Sequence, residues 1–328
     1  MFKKFGILLG TSAIGFVAAT AAVTVHAAEV TVNGASCFPI GSPPSVPYEN
    51  LVKEINKRGK GVVQVKMVGG APAIGSPFTL VQKTARGAYD VAGCPEAYYG
   101  NVLSEVAVLR LAEKTFAELR KNGGIDYLGN LLAGKNVHFV GRHHDFGDFH
   151  LWLSKPITEP NLKGLHLRVA PVYTAFFKSL GATVQQSNLG QIYTYMENNT
   201  VQGYGWPALG WVKPWIKVTK YRVEPGFYKA GLHTVFNKKK WDGLTKAQRN
   251  VISGVVLEFE AKSETSDPGF QAALKKQKAW MASEGMKTIE FKGADREKWV
   301  STAKKAAWDE VLARSPKHGA ALMKLFTN

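Results

Sequence analysis

Residues 161–207 read NLKGLHLRVAPVYTAFFKSLGATVQQSNLGQIYTYMENNTVQGYGWP, and this stretch decides the architecture. A short apolar strand (Leu165, Leu167, Val169) carries Arg168 in its middle and stops at Pro171, where a helix is predicted over 171–180. Pro in the first turn and Gly181 just past the end are the usual start and stop signals of a helix. Asn188 with Gln191 three residues on resembles a capping box for a second helix, whose inward side would be Ile192, Tyr193 and Met196. The chain then returns as a strand over 201–206. A guanidinium within an apolar strand is costly to bury unless an anion pairs with it. Its planar fork suits a carboxylate, which it grips through two parallel hydrogen bonds. The stretch is therefore a place to hold an organic acid.

Upstream, strands and helices alternate. A strand at 30–32 leads through a loop containing Pro39, Pro43, Pro44 and Pro47 to a helix carrying Leu51, Val52 and Ile55. A second strand covers 62–68. Ser76 and Pro77 open a helix with Leu80, Val81 and Thr84 on one side, ended by Gly87, and a third, buried strand covers 89–92. This order argues for a parallel sheet wrapped by helices. Ligands of such sheets sit outside the carboxyl ends of the strands, here 33–37, 68–70 and 93–96. Extended segments at 137–142 and 149–154 precede the quoted stretch. From Thr245 onward the spacing of Val251, Ile252, Val255, Val256 and Phe259 is helical.

Residues 1–27 have a basic start (Lys3, Lys4), an apolar run and a small-residue end at Val25-His26-Ala27, the build of a secretory signal peptide cleaved after Ala27. The competing reading is a retained membrane anchor. The run is rich in Ala, Gly and Thr rather than Leu, which favours cleavage. The remaining ~300 residues suffice for two domains. The whole chain has 42 Lys and Arg against 25 Asp and Glu; without Lys3 and Lys4 the balance is 40 against 25, or +15. The lysines are spread, with short clusters at 238–240 and 275–276, and no basic block interleaved with aromatics suggests nucleic acid. A diffuse positive field that draws small anions inward accounts for the charge.

Five segments in register resemble one family. NLKGLHLRVAP, TAFFKSLGA and IYTYMENNTVQGYGWP follow one another at the family's spacing, ARGAYDVAG matches its strand entry, and FNKKKWDGLTKAQRNVI matches a later segment. The chain is similar, nearly end to end, to the DctP-type extracytoplasmic solute receptors of TRAP transporters. The resemblance implies a two-domain periplasmic binding protein fold of class α/β, each domain a mixed sheet flanked by helices. The ligand cleft would lie between them, beside a long C-terminal interdomain helix. Domain I would take 28–147 and 233–273, and domain II 148–232 and 274–328. It further implies a monomeric periplasmic receptor with no catalysis and no cofactor, which passes an organic acid to membrane permease subunits.

Carried over residue by residue, Arg168 takes the position of the family's carboxylate-pairing arginine; an arginine paired within its own domain is the competing reading. Two departures shape the ligand. Trp206 replaces an asparagine that supports the same carboxylate, and a second arginine common in dicarboxylate receptors would fall near Phe149. Losing an amide and a cation while gaining an indole and a phenyl favours one carboxylate on an apolar or aromatic body, with stacking worth about 0.5–1.5 kcal/mol. The bland alternative is that both rings pack between the domains. Glu96 lies near an acidic position that meets ligand hydroxyl or amino groups, or is a solvated loop carboxylate. Tyr98 and Tyr99 are placed similarly, and Leu189 and Tyr173 complete the candidate set.

Cys37 and Cys94 follow the first and third strands, neighbours in the order expected for this fold, and export makes a disulfide available. Two free buried thiols are the alternative. The remaining cluster is Arg142-His143-His144-Asp145-Phe146-Gly147-Asp148-Phe149-His150. It suggests a rival function, a secreted metal-dependent or hydrolytic enzyme using His143, His144, Asp145 and His150. Adjacent strand residues point to opposite faces, so His143 and His144 would not easily share one ion. No zinc-ligand spacing or nucleophile elbow accompanies them.

Overall fold

Alternating β-branched and apolar residues form most of a ten-stranded mixed sheet in the computed structural model, which describes residues 1–2 and 28–328. The signal-peptide reading falls on residues outside that description. The first five strands are β1 (Val30–Ser36), β2 (Val63–Gly70), β3 (Val91–Pro95), β4 (Val137–Leu153) and β5 (His166–Val169). They are followed by β6 (Thr183–Gln186), β7 (Gly203–Pro207), β8 (Tyr221–Glu224), β9 (Lys229–Asn237) and β10 (Lys287–Glu290). Along the main path the order is β2-β1-β3-β9-β4-β7-β5-β6, with β8 bridging β4 to β10.

At one end β1 pairs in parallel with β2 and β3, and helix Val46–Arg58 buries Leu51, Val52 and Ile55 against them. At the other end β5 pairs in parallel with β6 and β7. The parallel sheet read from the alternation of elements therefore describes only the ends. Between them β9 runs antiparallel to both β3 and β4, and β4 antiparallel to β7. The two extended segments expected around 137–154 are one 17-residue strand. β4 stays paired to β9 through three irregularities, the last between Asp145 and Asp148, where Gly147 adopts φ 79°. Such bulges bend a strand while keeping it in its ladder. From Phe149 onward the same strand pairs with β7.

The helix expected over 171–180 is a 3₁₀ turn, Pro171–Tyr173, continuing into Thr174–Ser179. Asn188 makes no capping box with Gln191: its side chain accepts from the Gly190 amide and opens another 3₁₀ turn. A full capping box does close the start of helix Lys246–Lys262, between Thr245 and Gln248. The long helix Gly293–Arg314 buries Trp299, Ala303, Ala307, Trp308 and Val311. It packs on helix Thr174–Ser179 and on the 3₁₀ segment Ser104–Leu111: Trp299 meets Phe176 edge-on at 4.8 Å, while Glu310 lies 3.6 Å from Arg110. Among the described residues no helix is long and apolar enough to cross a membrane.

Candidate ligand-binding site

Arg168 is held by its own strand and by groups from the loops beyond it. In β5, Leu167 and Val169 turn into the core, and the pleat sends Arg168 to the opposite face. The side chain is fully buried. Its Nε donates to Ser187 Oγ at 3.3 Å, Nη1 donates to the Tyr173 hydroxyl at 3.1 Å, and Nη2 donates to the Ser187 carbonyl. Tyr173 donates in turn to the Gly205 carbonyl at 2.7 Å. Gly205 is needed there, because a Cβ would lie 2.5 Å from the Tyr173 ring. These partners are all neutral, and among the described residues Arg168 has no ion pair. A guanidinium has five N–H donors, three of them used here, and the Tyr98 hydroxyl lies close to the same group.

Trp206, Tyr173 and Tyr98 lie beside this cation, and further rings pack against them; Arg168 itself lines neither of the two cavities described below. The guanidinium carbon lies 5.9 Å from the Trp206 ring, and Trp206 meets Phe38 edge-on at 6.3 Å. The indole N–H of Trp206 is spent on the Gly210 carbonyl at 3.1 Å, so the ring offers apolar surface. Phe149 packs against Tyr173 at 5.3 Å, and Phe38 against Tyr98 at 5.5 Å. Burial pushes the Tyr98 phenol up to about 12, and the positive charge of Arg168 beside it holds it back. Phe38, Tyr98, Phe149, Tyr173, Trp206 and Leu232 line an apolar cavity of about 20 Å³. That is space for about one water and not for an organic acid.

The structure thus gathers Arg168, Trp206, Phe149 and Tyr173 into one place. It puts Glu96 elsewhere: its neighbours Pro95, Ala97 and Tyr98 line the apolar cavity, whereas Glu96 lines a second one of about 300 Å³. Leu189 is half-buried and lines neither cavity. Tyr99 turns away, its hydroxyl 3.1 Å from His233 Nδ1. Phe38, Ser187 and Leu232 join the site without having been expected from the sequence. Phe38 follows directly on the first strand-end loop, and Leu232 comes from β9, whose run of apolar residues is the signal that could have found it. Ser187 carries no such signal. Cys37 and Cys94 are joined by a disulfide, with Cα atoms 5.1 Å apart, which fixes the loops bearing Phe38 and Glu96 to each other.

The histidine-rich stretch does not converge. His143 shares a 3.0 Å bond with Thr234, His144 meets the Phe146 ring edge-on at 4.7 Å, and Asp145 pairs with Arg142 at 2.8 Å. His150 Nδ1 lies 3.0 Å from the Val223 carbonyl. Burial drives His143 well below the ordinary histidine range and His144 down to about 4, so both are neutral at pH 7.

Several solved structures share this fold. A TRAP periplasmic solute-binding protein from Desulfovibrio salexigens, with bound orotic acid, superposes with a TM-score of 0.79 at 19% identity, covering 90% of this chain and 97% of that one. One from Sulfitobacter sp. NAS-14.1, with bound β-D-galacturonate, gives 0.77 at 18% identity, covering 90% and 99%. A Bordetella pertussis extracytoplasmic solute receptor binding pyroglutamic acid gives 0.77 at 12% identity, again over 90% and 99%. A family model described as bacterial extracellular solute-binding protein, family 7 (DctP), matches residues 41–315. With its two sheet ends joined through β4 and β9 and the family model matched over most of its length, this chain belongs to that family of extracellular solute-binding receptors.

Proposed function

We propose that this chain captures an organic acid with one carboxylate and an apolar or aromatic body, and presents it in the periplasm to the membrane permease of a TRAP transporter. The observation that carries this reading is Arg168, fully buried and bonded to neutral groups alone. A carboxylate would complete the fork and neutralise the charge. Trp206, Phe149, Tyr173 and Phe38 supply flat apolar walls for the rest of the molecule. The structural relatives that hold acids such as orotate support a carboxylate. The receptor role, rather than an enzymatic one, is supported by family membership and by the separate engagements of His143, His144, Asp145 and His150.

A cavity of about 20 Å³ means that a ligand enters only when the walls part. We assign the moving bodies to 28–147 with 233–273 and to 148–232 with 274–328. The change of β4's partner from β9 to β7 between Asp148 and Phe149 supports the first boundary.

Calorimetry with a matched panel tests the proposal. Benzoate or cinnamate is expected to bind more tightly than succinate, and Arg168→Met is expected to weaken binding at least hundredfold, about 2.7 kcal/mol. Tighter binding of succinate would overturn the aromatic wall as a specificity element. Unchanged affinity in the Arg168 variant would overturn the capture mode itself.

A further inference from the structure

Tyr98 stands beside Arg168 in the way a ligand would. It ends the 3₁₀ turn Glu96–Tyr98, just past β3, and is buried. Its ring packs on Phe38 at 5.5 Å and meets Phe78 edge-on at 4.9 Å. Its hydroxyl lies close to the Arg168 guanidinium, whose charge favours an anion there, yet burial keeps the phenol neutral at pH 7. An aromatic ring on apolar neighbours, with an oxygen toward an arginine, has the outline of an aromatic acid without its charge. Arg168 and the groups bonded to it, on Tyr173 and Ser187, fall within 148–232, whereas Tyr98 falls within 28–147. Tyr98 therefore reaches Arg168 from the other of the two bodies assigned above.

Tyr98 also lines both cavities. The apolar one has room for about one water, while the polar one, at about 300 Å³, is at the lower end of small-molecule pocket sizes. Val172 lines the polar cavity next to Tyr173, and Gln186 lines it next to Ser187, so this space runs alongside the residues that hold Arg168. Glu96 and Glu310 balance Arg110 and Arg314 in its walls, and a neutral phenol enters it without upsetting that balance. The Cys37–Cys94 disulfide ties together the strand ends before Phe38 and Glu96. Rotation of the Tyr98 side chain into the polar cavity moves the ring and leaves those tied ends in place. We propose that Tyr98 is an intramolecular occupant of the ligand site: its phenol holds the place between Phe38 and Arg168, and an aromatic acid binds by displacing it into the polar cavity. A carboxylate wins this exchange because it brings the charge that the phenol lacks. A neutral aromatic gains nothing at Arg168 and meets a filled site, so the occupant selects for the anion. Displacement also lowers the apparent affinity of every acid, by the fraction of molecules in which the ring is already out of the site.

This inference rests on the monocarboxylate reading, and the experiment separates the two. Benzoate, cinnamate and p-cresol, which is the tyrosine side chain as a free molecule, are titrated by calorimetry into the wild type, Tyr98→Ala and Tyr98→Leu. Both substitutions remove the occupant, and the acids are expected to bind each variant about tenfold more tightly than the wild type. p-Cresol is expected to bind Tyr98→Ala in competition with cinnamate, and not to bind the wild type. Should Tyr98→Ala fold poorly, p-cresol is expected to raise its Tm, and Tyr98→Leu, which keeps apolar bulk, still reads the acids. Equal or weaker acid binding in both variants would make Tyr98 a wall that the ligand packs against, overturning the occupant and leaving Arg168 capture standing. p-Cresol that fails to bind Tyr98→Ala, or binds it alongside cinnamate, would overturn the occupant too. No binding of either acid to any of the three proteins would overturn both readings.

Discussion

Two arginines, each in a strand and each buried, have opposite surroundings. Arg142 of β4 has its countercharges beside it, Asp145 at 2.8 Å and Glu264 at 2.7 Å, with the Phe116 ring 4.3 Å from its guanidinium carbon, although its Nε has no hydrogen-bond partner among the described residues. Its own backbone amide donates to Glu260, which also pairs with Arg120 at 2.6 Å. Arg168 of β5 has a serine, a tyrosine and a carbonyl. The difference shows how burial alone says nothing about role. A buried cation with its countercharges in place belongs to the frame, whereas one held only by neutral groups is what the proposed carboxylate capture requires. Arg142 also sits where the chain passes between the two ends of the sheet, so its network ties β4 to the turn after helix Lys246–Lys262.

The sharpest way to break the comparison is to replace both cations by Met. Arg142→Met leaves Asp145 buried without its partner, and should lower unfolding stability by about 3–5 kcal/mol in denaturant titrations. Arg168→Met removes an unpaired buried charge, so the ligand-free protein should be as stable as the wild type or more so. A loss of several kcal/mol there would mean that Arg168 is part of the frame after all.

Glu96 extends the comparison to a carboxyl. Burial raises its pKa from 4.5 to about 7 in the folded chain. Folding therefore favours its protonated form, and its favourable contribution is complete below about 4.5 and lost as pH rises through 7. Glu96→Gln should exceed the wild type in stability by on the order of 2–3 kcal/mol at pH 8, the gap closing by pH 5. Buried histidines move the other way: His144 falls to about 4 and His233 to about 3, so their contribution is lost as pH drops below 6.5. The difference between variant and wild type isolates Glu96, because the histidines are common to both. A constant gap across that range would show Glu96 titrating normally.

The smallest effect concerns the tyrosine that supports Arg168. Gly205→Ala puts a methyl 2.5 Å from the Tyr173 ring. The ring must shift, at a cost of about 1–3 kcal/mol in stability, and the Tyr173 bond to Arg168 with it. Carboxylate affinity should drop severalfold while Gly203→Ala, beside Trp152 and Leu153 rather than Tyr173, should affect stability alone.

Much of this frame is legible in residue order. Helix punctuation at Pro171 and Gly181, the β-branched run in β2 and the helical spacing from Thr245 onward are local effects, set by neighbours within a few positions. Motif register alone brings Arg168, Trp206 and Phe149 together. Long-range pairing is not legible in this way. β9 lies antiparallel between two halves because its partners Val91–Pro95 and Val137–Leu153 are over 70 residues away, and no local pattern announces that direction. The same holds for the polar cavity, whose walls come from Glu96, Arg110, Gln186 and the long helix.

The sequence by itself determined the family and the strand that carries Arg168, since these depend on residue identity and spacing. Only the tertiary structure decided which charges are paired. Arg142 and Arg168 look alike in one dimension, because a countercharge is a property of space: Glu264 reaches Arg142 across more than a hundred residues, and among the described residues no carboxylate reaches Arg168.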